Sequence, residues 1–433
     1  MDMSADERFM RQALELAQQG VGLCSPNPCV GALLVDAAGS VIGSGSHTYA
    51  GVKHAEVLAL EAARAAGADP RGATLYLNLE PCSHQGRTAP CVDALIAAGV
   101  KRVVAAIPDP NPQVSGQGFE KLRAAGIEVS DGVLHEEAAR LNEAFARYIR
   151  NHIPLVTLKA AMTLDGKIAP PPGESATPTA LGAGGASGGW ITSGPARTHV
   201  HELRHASDAI LVGVGTVIAD DPLLTDRTGR PRRRPLQRVI LDSRLRLPLE
   251  TRVVKTAQED VIVFCAFAEE KKKRALESHG VRVIQVNLMG QARPASDKVK
   301  QMPARRRTRT GTGKPIPASG PNPADNVRPD LHRVLACLGE MEITSLLIEG
   351  GAMVNGVALD TGIVDKVFLY YSPKILAGTG SVPFATGAGF RHLDEAAYIR
   401  HIVIHQFGED FAVEGYLRDP YHFPGAPIAR SRR

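Results

Sequence analysis

The sequence predicts an α/β protein of two domains, and three observations support this prediction. Apolar segments typical of buried strands alternate with segments of helical periodicity, which is the pattern of a largely parallel sheet covered by helices. The 433 residues exceed the roughly 250–300 that one hydrophobic core usually serves, and 44% of them are hydrophobic. The alternation restarts near residue 150, so we expect domains over residues 1–150 and 151–433.

The first domain is expected to begin with a helix, because Ser4-Ala5-Asp6-Glu7 matches a capping box and apolar residues follow at helical spacing. The segments VGALLVD and SVIGSGSH are predicted to form a hairpin through Ala38-Gly39. The remaining elements are predicted in this order: a helix from His54, a strand over Ala73–Leu79, a helix from Cys91, the strand KRVVAAIPD, a helix near 119–125, the strand IEVS and one long helix over 135–150.

The second domain repeats this alternation. Its predicted elements are the strand PLVTLKAAM, a helix after Trp190 that leads into a strand and a Gly-containing loop, the strands QRVILDSRL, DVIVFCAF and VRVIQV, a helix over 331–339, the strand ITSLLIE, a short helix after Gly350-Gly351, and the strands DKVFLYYSPKIL and HIVIHQFGEDFAVEGYL.

Positive charge is concentrated in one low-complexity segment. Residues 291–330 hold nine Lys or Arg and three Asp, a surplus of six, although the net charge of the whole chain is only +5. The segment is rich in Pro and poor in aromatic residues, which is typical of a solvated loop rather than a nucleic-acid groove. We expect this segment and residues 170–189, which are dominated by Gly, Pro, Ala and Ser, to be flexible insertions. We expect no nucleic-acid partner.

Three features indicate a cytoplasmic protein. No run of about 18 apolar residues is present, so no membrane-spanning helix is expected. The first residues, MDMSADERFM, lack the basic and then apolar order of a signal peptide. The six cysteines are too scattered for a disulfide framework, which fits a reducing compartment. The sequence leaves a homo-oligomer open, as a dimer or a tetramer.

The stretch from His54 to Cys91 is typical of a catalytic zinc site. His54, Cys82 and Cys91 are good zinc ligands, and three protein ligands leave the fourth tetrahedral position for water. Zinc lowers the pKa of such a water to about 7, and Glu56 can carry its proton. H-x-E followed by Pro-Cys and a second Cys is the signature of zinc deaminases. A structural zinc site is the next interpretation, and metal-free buried thiols are the last.

Two glycine turns in the second domain indicate a nucleotide. The strand ending in Glu349 is followed by Gly350-Gly351 and a helical segment, so backbone N–H groups and a helix N-terminus can approach a phosphate. The segment Gly213–Thr216, followed by Asp220-Asp221-Pro222, is a second candidate for the same ligand. A Gly-Gly turn after a strand is more often only a tight connection, and this turn is not the G-x-G-x-x-G fingerprint.

Nearly the whole sequence resembles the family of bifunctional riboflavin-biosynthesis deaminase–reductases. The resemblance rests on SPNPCVG, HAEVLAL and EPCSHQGRTAPC in the first half and on LKAAMTLDGKIA, WITSGPAR, VIADDPLLTDR, LDSR and IEGGAMVNG in the second. Eight residues separate the two cysteines of the zinc motif, whereas cytidine and tRNA deaminases usually have two. The longer loop makes the resemblance specific.

The resemblance implies a cytidine-deaminase-like three-layer α/β/α domain followed by a dihydrofolate-reductase-like α/β domain. It implies zinc-dependent hydrolytic deamination of 2,5-diamino-6-(5-phosphoribosylamino)pyrimidin-4(3H)-one to the corresponding uracil. NADPH then reduces the ribosyl group, which gives 5-amino-6-(5-phosphoribitylamino)uracil. The implied cofactors are Zn²⁺ and NADPH, and the implied partner is this small phosphoribosylaminopyrimidine.

The resemblance also implies roles for individual residues. In the first half, His54, Cys82 and Cys91 hold zinc, Glu56 transfers protons, and the substrate is held by Asn27, His47, His84 and Arg87. In the second half, NADPH contacts are implied for Ala161, Trp190, Thr216, Asp220, Ser243, Gly351, Ala352, Met353, Val354, Asn355, Gly356 and Val357, and substrate contacts for Ser175, Arg204, Leu224, Arg227 and Glu349. The family commonly has Gly-Glu-Ser just before the tryptophan, whereas Gly188 occupies the serine position here, which leaves Ser175, Ser187 or neither in that role.

Two other functions compete with this interpretation. A nucleobase or tRNA-editing deaminase with a nucleotide-binding, non-catalytic second domain predicts a two-residue cysteine gap and a basic or aromatic stacking surface, and neither is evident in the sequence. A zinc-stabilised scaffold that binds a nucleotide for regulation predicts the loss of Glu56 or of one ligand, and all four residues are present.

Overall fold

The computed structural model describes residues 3–85, 89–171, 190–286 and 328–421. Most of the strands in these ranges form two large mixed sheets, one in each half of the chain, and helices surround the sheets. Arg87, Ser175 and almost all of the two predicted insertions lie outside the described residues. No helix in the described ranges is both long and apolar enough to cross a membrane.

The first sheet contains five strands in the order β2–β1–β3–β4–β5. Strand β1 is antiparallel to both of its neighbours, whereas β3, β4 and β5 are parallel, so four of the five strands point the same way. The prediction of a largely parallel sheet is therefore confirmed, and the predicted hairpin between β1 and β2 explains the exception. The strands are β1 Gly31–Val35, β2 Val41–Ser46, β3 Thr74–Leu77, β4 Arg102–Ala105 and β5 Glu128–Asp131.

Six helices lie in this half of the chain, and the first of them has the predicted capping box. The Ser4 hydroxyl accepts a hydrogen bond from the Glu7 N–H at 3.2 Å, and the Glu7 carboxylate accepts one from the Ser4 N–H at 2.9 Å. The helices are α1 Ala5–Gln18, α2 Ala55–Ala65, α3 Cys91–Ala98, α4 Gln117–Ala124, α5 His135–Leu141 and α6 Glu143–Asn151.

The prediction of one long helix over 135–150 is wrong, because the helix breaks at Asn142. The buried Asn142 side chain accepts a hydrogen bond from the Cys29 N–H at 2.8 Å and donates one to the Cys29 carbonyl at 3.1 Å. An amide side chain that binds a distant backbone in this way offers the chain an alternative to continuous helix. The break therefore ties the start of α6 to the residues just before β1.

The second sheet contains nine strands in the order β11–β10–β9–β8–β12–β6–β13–β16–β15. The strands from β11 to β13 are parallel, and the hairpin of β15 and β16 adds two antiparallel strands at one edge. The short strands β7 and β14 pair separately. The strands are β6 Leu155–Thr163, β7 Lys167–Ala169, β8 Ala209–Gly213, β9 Gln237–Leu241, β10 Val261–Cys265, β11 Val281–Gln285, β12 Ser345–Ile348, β13 Lys366–Ser372, β14 Val382–Pro383, β15 Arg400–Phe407 and β16 Asp410–Tyr416.

The helices of this half place two predicted ligand-binding segments side by side. Strands β8 and β12 are parallel neighbours, so the segments after them leave the sheet at the same edge. The predicted loop after β8 is instead the first turn of a short helix, α8. The helices are α7 Gly194–Ala206, α8 Val214–Asp220, α9 Arg252–Lys255, α10 Glu270–Glu277, α11 Leu331–Glu340 and α12 Ala352–Asp360, with a 3₁₀ helix at Leu393–Glu395.

Candidate active sites

Three elements of the first half bring the predicted zinc ligands together. His54 immediately precedes α2, Cys82 comes after β3, and Cys91 begins α3. Their ligand atoms all lie within 4.8 Å of one another, and His54 Nδ1 is 3.1 Å from the Cys91 sulfur and 3.4 Å from the Cys82 sulfur. One imidazole and two thiols match the donors that zinc prefers. No fourth His, Cys, Asp or Glu joins the cluster within the described ranges, which fits a catalytic zinc rather than a structural one.

The three ligand side chains interact with one another, and these interactions shift their pKa values. The hydrogen bond from the Cys91 thiol, reinforced by His54, lowers the pKa of Cys82 to about 4. The bond to Cys82 in turn raises the pKa of Cys91 and the pKa of His54. The three side chains thus share protons, which metal binding displaces because zinc is bound by thiolates and neutral imidazole.

Glu56 lies beside this cluster in the first turn of α2 and is only 4% exposed. Its burial, followed by the negative charge of Cys82, raises its pKa, which suits a group that both accepts and returns a proton near neutral pH. The other buried carboxylate of this region, Glu80, cannot take that role. It accepts hydrogen bonds from the N–H groups of Asp109, Gly116 and Gly118 at 2.8–2.9 Å, so it holds a loop in place.

Two of the predicted substrate residues lie next to the zinc ligands. The His47 ring packs edge-on against the His54 ring, with 5.6 Å between centroids. His47 Nδ1 lies 2.9 Å from the Lys53 carbonyl and donates to it, which leaves Nε2 to accept from the Asn27 amide at 2.9 Å. Burial lowers the pKa of His47, which favours this neutral form. His84 is exposed on the loop after Cys82.

In the second half, Glu349 lies between two cations just after the carboxyl end of β12. Arg204 donates to both of its oxygens at 2.7 and 3.1 Å, and the Lys159 ammonium lies 3.4 Å away. Burial alone would raise the pKa of Glu349, but Lys159 and Arg204 outweigh it and hold the pKa at about 2. Sequence analysis did not identify Lys159 as a candidate site residue. A charged lysine inside the apolar strand PLVTLKAAM could have indicated it.

The two predicted glycine segments meet beside this cluster. A Cβ atom on Gly351 would lie 3.3 Å from the Thr216 hydroxyl, so the turn before α12 touches the first turn of α8. A Cβ on Gly215 would meet no described atom within 4 Å, which leaves open space above the turn. The buried Asn355 Oδ1 has no hydrogen-bond partner among the described residues. Closely spaced glycine backbone, open space and an unpartnered acceptor fit a nucleotide cofactor.

The remaining predicted residues of this half differ in the contacts that they can make. Trp190 is 59% exposed and lies under the Arg197 guanidinium, 5.0 Å from the ring centroid. Leu224, Gly356 and Val357 are buried, and a Cβ on Gly356 would lie 1.8 Å from the Thr386 carbonyl, so this glycine permits close packing. The others are half-buried or exposed, and their positions are Ala161 in β6, Asp220 at the end of α8, Arg227 in the segment between α8 and β9, Ser243 just after β9, and Met353 and Val354 in α12. Ala352 is buried in the first turn of α12.

Comparison with known proteins identifies both halves. Residues 154–413 match the family model of the RibD C-terminal domain, and residues 3–107 match that of the cytidine and deoxycytidylate deaminase zinc-binding region. The riboflavin biosynthesis protein RibD of Actinobacillus pleuropneumoniae is 37% identical over 96% of both chains. The RibD of Aquifex aeolicus is 39% identical over 94% of this chain and 97% of its own.

Solved structures agree with these relatives. Acinetobacter baumannii RibD has a TM-score of 0.71 at 32% identity and covers 95% of this chain and 98% of its own. The diaminohydroxyphosphoribosylaminopyrimidine deaminase/5-amino-6-(5-phosphoribosylamino)uracil reductase of Thermotoga maritima has a TM-score of 0.70 at 36% identity, with the same coverage. These matches confirm the predicted fold class, a cytidine-deaminase-like domain followed by an α/β reductase domain. The chain therefore belongs to the RibD family of bifunctional riboflavin-biosynthesis enzymes, which join a zinc-dependent deaminase to an NADPH-dependent reductase.

Proposed function

We propose that the chain deaminates 2,5-diamino-6-(5-phosphoribosylamino)pyrimidin-4(3H)-one at the His54–Cys82–Cys91 cluster and reduces the product at the Glu349 cluster. The main support for this proposal is that three zinc ligands, His54, Cys82 and Cys91, lie together beside the buried Glu56. The second cluster, with two cations around one buried carboxylate next to a double glycine turn, supports a separate reduction.

The first reaction replaces an amino group with oxygen, so a water must lose a proton and the departing ammonia must gain one. Zinc held by His54, Cys82 and Cys91 would supply Lewis acidity that makes the water more acidic. Glu56 accepts the proton of the water and delivers it to the leaving amine. Its burial favours this exchange, because a carboxyl with a raised pKa both binds and releases a proton near neutral pH.

The polar groups around the zinc ligands orient the substrate. Asn27 and His47 form a hydrogen-bonded pair that faces His54 from one side, and they are suited to hold the pyrimidine ring. We assign the exposed His84, together with Arg87 of the same loop, to the phosphate, because cationic donors bind phosphate oxygens well.

The second reaction opens the ribosyl ring as carbon is reduced, so the ring oxygen must gain a proton. NADPH bound at the glycine turns would supply the hydride. Glu349 accepts hydrogen bonds from sugar hydroxyls while Arg204 holds its carboxylate in place. Lys159 lies 3.4 Å from Glu349 and can release a proton, whereas arginine stays charged in proteins, so we assign Lys159 the role of proton donor.

We also propose the domain boundary near residue 150, an oligomer and a cytoplasmic location. The apolar core around the first sheet is formed by residues between Phe9 and Ala138, and the core around the second sheet begins at Val156. Strand β15 is a sheet edge whose Ile402 and Ile404 are 56% and 68% exposed, so a second copy of the chain has apolar surface to cover. Light scattering tests for a dimer or tetramer, and Ile404→Lys should shift the population towards monomer.

The experiment that tests the proposed function incubates the protein with the diaminopyrimidine substrate in the presence and absence of NADPH. Ammonia release and NADPH absorbance are followed separately. Ammonia should appear in both samples, and NADPH should be consumed only after ammonia has been released. Consumption of NADPH without ammonia release would contradict the proposed order of the two reactions.

Replacing Cys82 with serine should remove the zinc. Protein purified without chelator is expected to contain about one equivalent of zinc per chain, and Cys82→Ser should contain almost none, because a neutral hydroxyl is a much poorer zinc ligand than a thiolate. Metal analysis and ammonia release measure the effect. The matched control is Cys337→Ser, because Cys337 lies in α11 far from the cluster in sequence. Full deamination by metal-free protein would refute the zinc assignment.

Replacing Gly351 with valine should impair the use of NADPH. Its backbone, with φ −71° and ψ 175°, is accessible to any residue, so the change need not strain the chain. The new Cβ would instead lie 3.3 Å from the Thr216 hydroxyl, and its methyl groups would occupy the turn. The KM for NADPH is expected to rise at least about tenfold, which corresponds to the loss of roughly one charge-assisted hydrogen bond to the cofactor. Ammonia release should be unchanged. Leu359→Val, in the last turn of the same helix, controls for helix destabilisation, and an unchanged KM would argue against cofactor binding at this turn.

A further inference from the structure

The turn that carries Asn27, which we call the substrate turn (residues 24–29), is held by its own domain at its ends. The N–H of Cys24 donates to the Gly20 carbonyl at 2.9 Å. At the other end, the Cys29 backbone is bound by Asn142 and by Asn78, whose amide donates to the Cys29 carbonyl at 2.8 Å. Ser25, the second residue of the turn, instead has its side-chain partners in the reductase half.

The first contact of Ser25 is with Asp208, which precedes β8 and is 6% exposed. The Ser25 hydroxyl donates to Asp208 Oδ2 at 2.7 Å and lies 3.3 Å from the Thr344 hydroxyl. The same carboxylate oxygen accepts from the Thr344 N–H and hydroxyl, both at 2.8 Å, and pairs with Arg234 at 3.2 Å. The Asp208 carboxylate is thus held by Thr344 and Arg234 of its own half as well as by Ser25 of the turn.

The second contact is with Arg233, which reaches three points of the deaminase domain. Its backbone N–H donates to the Gly22 carbonyl at 2.7 Å, and its guanidinium donates to the Ser25 carbonyl. The guanidinium also lies over the Tyr49 ring, 3.5 Å from the centroid, and the Tyr49 N–H binds the Leu23 carbonyl at 3.1 Å. Arg233 therefore binds backbone just before the turn through its own N–H, and backbone at the second residue of the turn through its side chain.

These contacts matter for Asn27 because they fix the backbone two residues before it. Asn27 lies two residues after Ser25, and its N–H donates to the Cys24 carbonyl at 2.9 Å. Its amide must also keep the 2.9 Å bond to His47 beside the zinc ligands. Hydrogen bonds to a carboxylate or a guanidinium are among the stronger ones in proteins, so contacts at Ser25 narrow the positions open to Asn27.

We propose that the reductase domain positions the substrate turn of the deaminase, with Asp208 and Arg233 as positioning residues that act through Ser25 on Asn27. The inference rests on the proposed role of Asn27 in binding the deaminase substrate. Deamination therefore depends on residues of the reductase half that touch neither zinc ligands nor NADPH turns. The interface between the two halves therefore shapes the substrate-binding part of the deaminase site in addition to stabilising the fold.

The test compares Ser25→Ala and Asp208→Asn in the full-length protein. Each should raise the KM for deamination about threefold to tenfold with a small change in kcat, since a hydrogen bond to a charged group is lost or weakened. NADPH oxidation with the deaminated intermediate supplied, and bound zinc, should remain at the wild-type level. The double variant should be no worse than the poorer single variant, because both changes act on the same hydrogen bond.

Glu342→Gln is the matched control, because this change removes a charge 3.8 Å from Arg233 without touching the turn, and its KM should be unchanged. Hydrogen exchange of residues 23–29 should be faster in Ser25→Ala and Asp208→Asn than in this control. An unchanged KM for deamination in both Ser25→Ala and Asp208→Asn would overturn the inference. An equal loss of ammonia release and NADPH oxidation would also overturn it, because that pattern indicates general destabilisation of the protein. Asn27→Ala distinguishes the proposed role of Asn27 in substrate binding from its positioning by the reductase domain. If Asn27→Ala deaminates normally, the role of Asn27 in binding is refuted. If Asn27→Ala is defective while Ser25→Ala and Asp208→Asn are normal, only the positioning by the reductase domain is refuted.

Discussion

Replacing Glu56 with glutamine is expected to slow ammonia release by about 10²–10⁴-fold, the usual contribution of a general acid–base group. The amide has nearly the same shape but cannot accept and return a proton. Glu80 cannot substitute for it, because its carboxylate is occupied by backbone N–H groups. Zinc should stay bound, since Glu56 does not belong to the ligand cluster. Ammonia release and metal content measured on the same sample test both parts.

The matched control for this variant is Glu61→Gln. Glu61 lies on the same helix, but its side chain is 45% exposed and pairs with Lys53 at the surface, so its loss should leave ammonia release unchanged. Loss of zinc from Glu56→Gln would show that the carboxylate is a ligand and not a proton carrier.

Replacing Glu349 with glutamine is the change expected to damage the reductase most. The amide cannot balance Lys159 and Arg204, and removal of one partner from a buried ion pair costs about 3–5 kcal/mol. We expect NADPH oxidation to fall at least about 100-fold, because a buried charged contact to the substrate is lost together with the alignment of Lys159. Ammonia release should be spared. Glu340→Gln, which removes an exposed carboxylate of the same domain, should have no effect on either reaction.

The same residue predicts a dependence of stability on pH. The pKa of Glu349 is about 2 in the folded chain, below its ordinary value of 4.5. A depressed carboxyl pKa stabilises the folded state above the unfolded pKa, and the contribution, about 3 kcal/mol, is lost as the pH falls from about 4.5 to about 2. Urea unfolding at several pH values should therefore show a shallower acid loss in Glu349→Gln than in the wild type. Equal slopes would indicate that Glu349 is not strongly paired.

The zinc site could be predicted from the sequence because its chemistry is carried by residue types within short elements. His54 and Cys91 stand at the beginnings of helices and Cys82 stands after a strand, so the local pattern already limits where their side chains can meet. The same holds for the two glycine turns, since parallel neighbouring strands place the turns at their carboxyl ends along one edge of the sheet.

Contacts between distant parts of the chain could not be predicted in this way. Lys159 meets Glu349 because β6 and β12 pair with Leu158 beside Ile348, and no local pattern sets that register. Ser25 and Asp208 are 183 residues apart in sequence. The break at Asn142 likewise depends on the Cys29 backbone, which only the folded chain brings near.

A resemblance in sequence also does not distinguish residues that touch a ligand from residues that shape its site. Leu224 is implied as a substrate contact, but its side chain is 4% exposed within an apolar core. Gly356 is implied as a cofactor contact, but its missing side chain admits the Thr386 carbonyl. The prediction that these positions bind ligands remains a prediction, and their packing indicates that any contact is made by backbone or by neighbours.

Two separate active sites in one chain are best tested by supplying both substrates to both variants, Glu56→Gln and Glu349→Gln. With the deaminated intermediate, Glu56→Gln should oxidise NADPH at the wild-type rate, and with the diaminopyrimidine it should release almost no ammonia. Glu349→Gln should show the reverse pattern, with normal ammonia release and almost no NADPH oxidation. If Glu56→Gln lost both half-reactions while its fold and zinc content were intact, the assignment of two separate sites would be wrong.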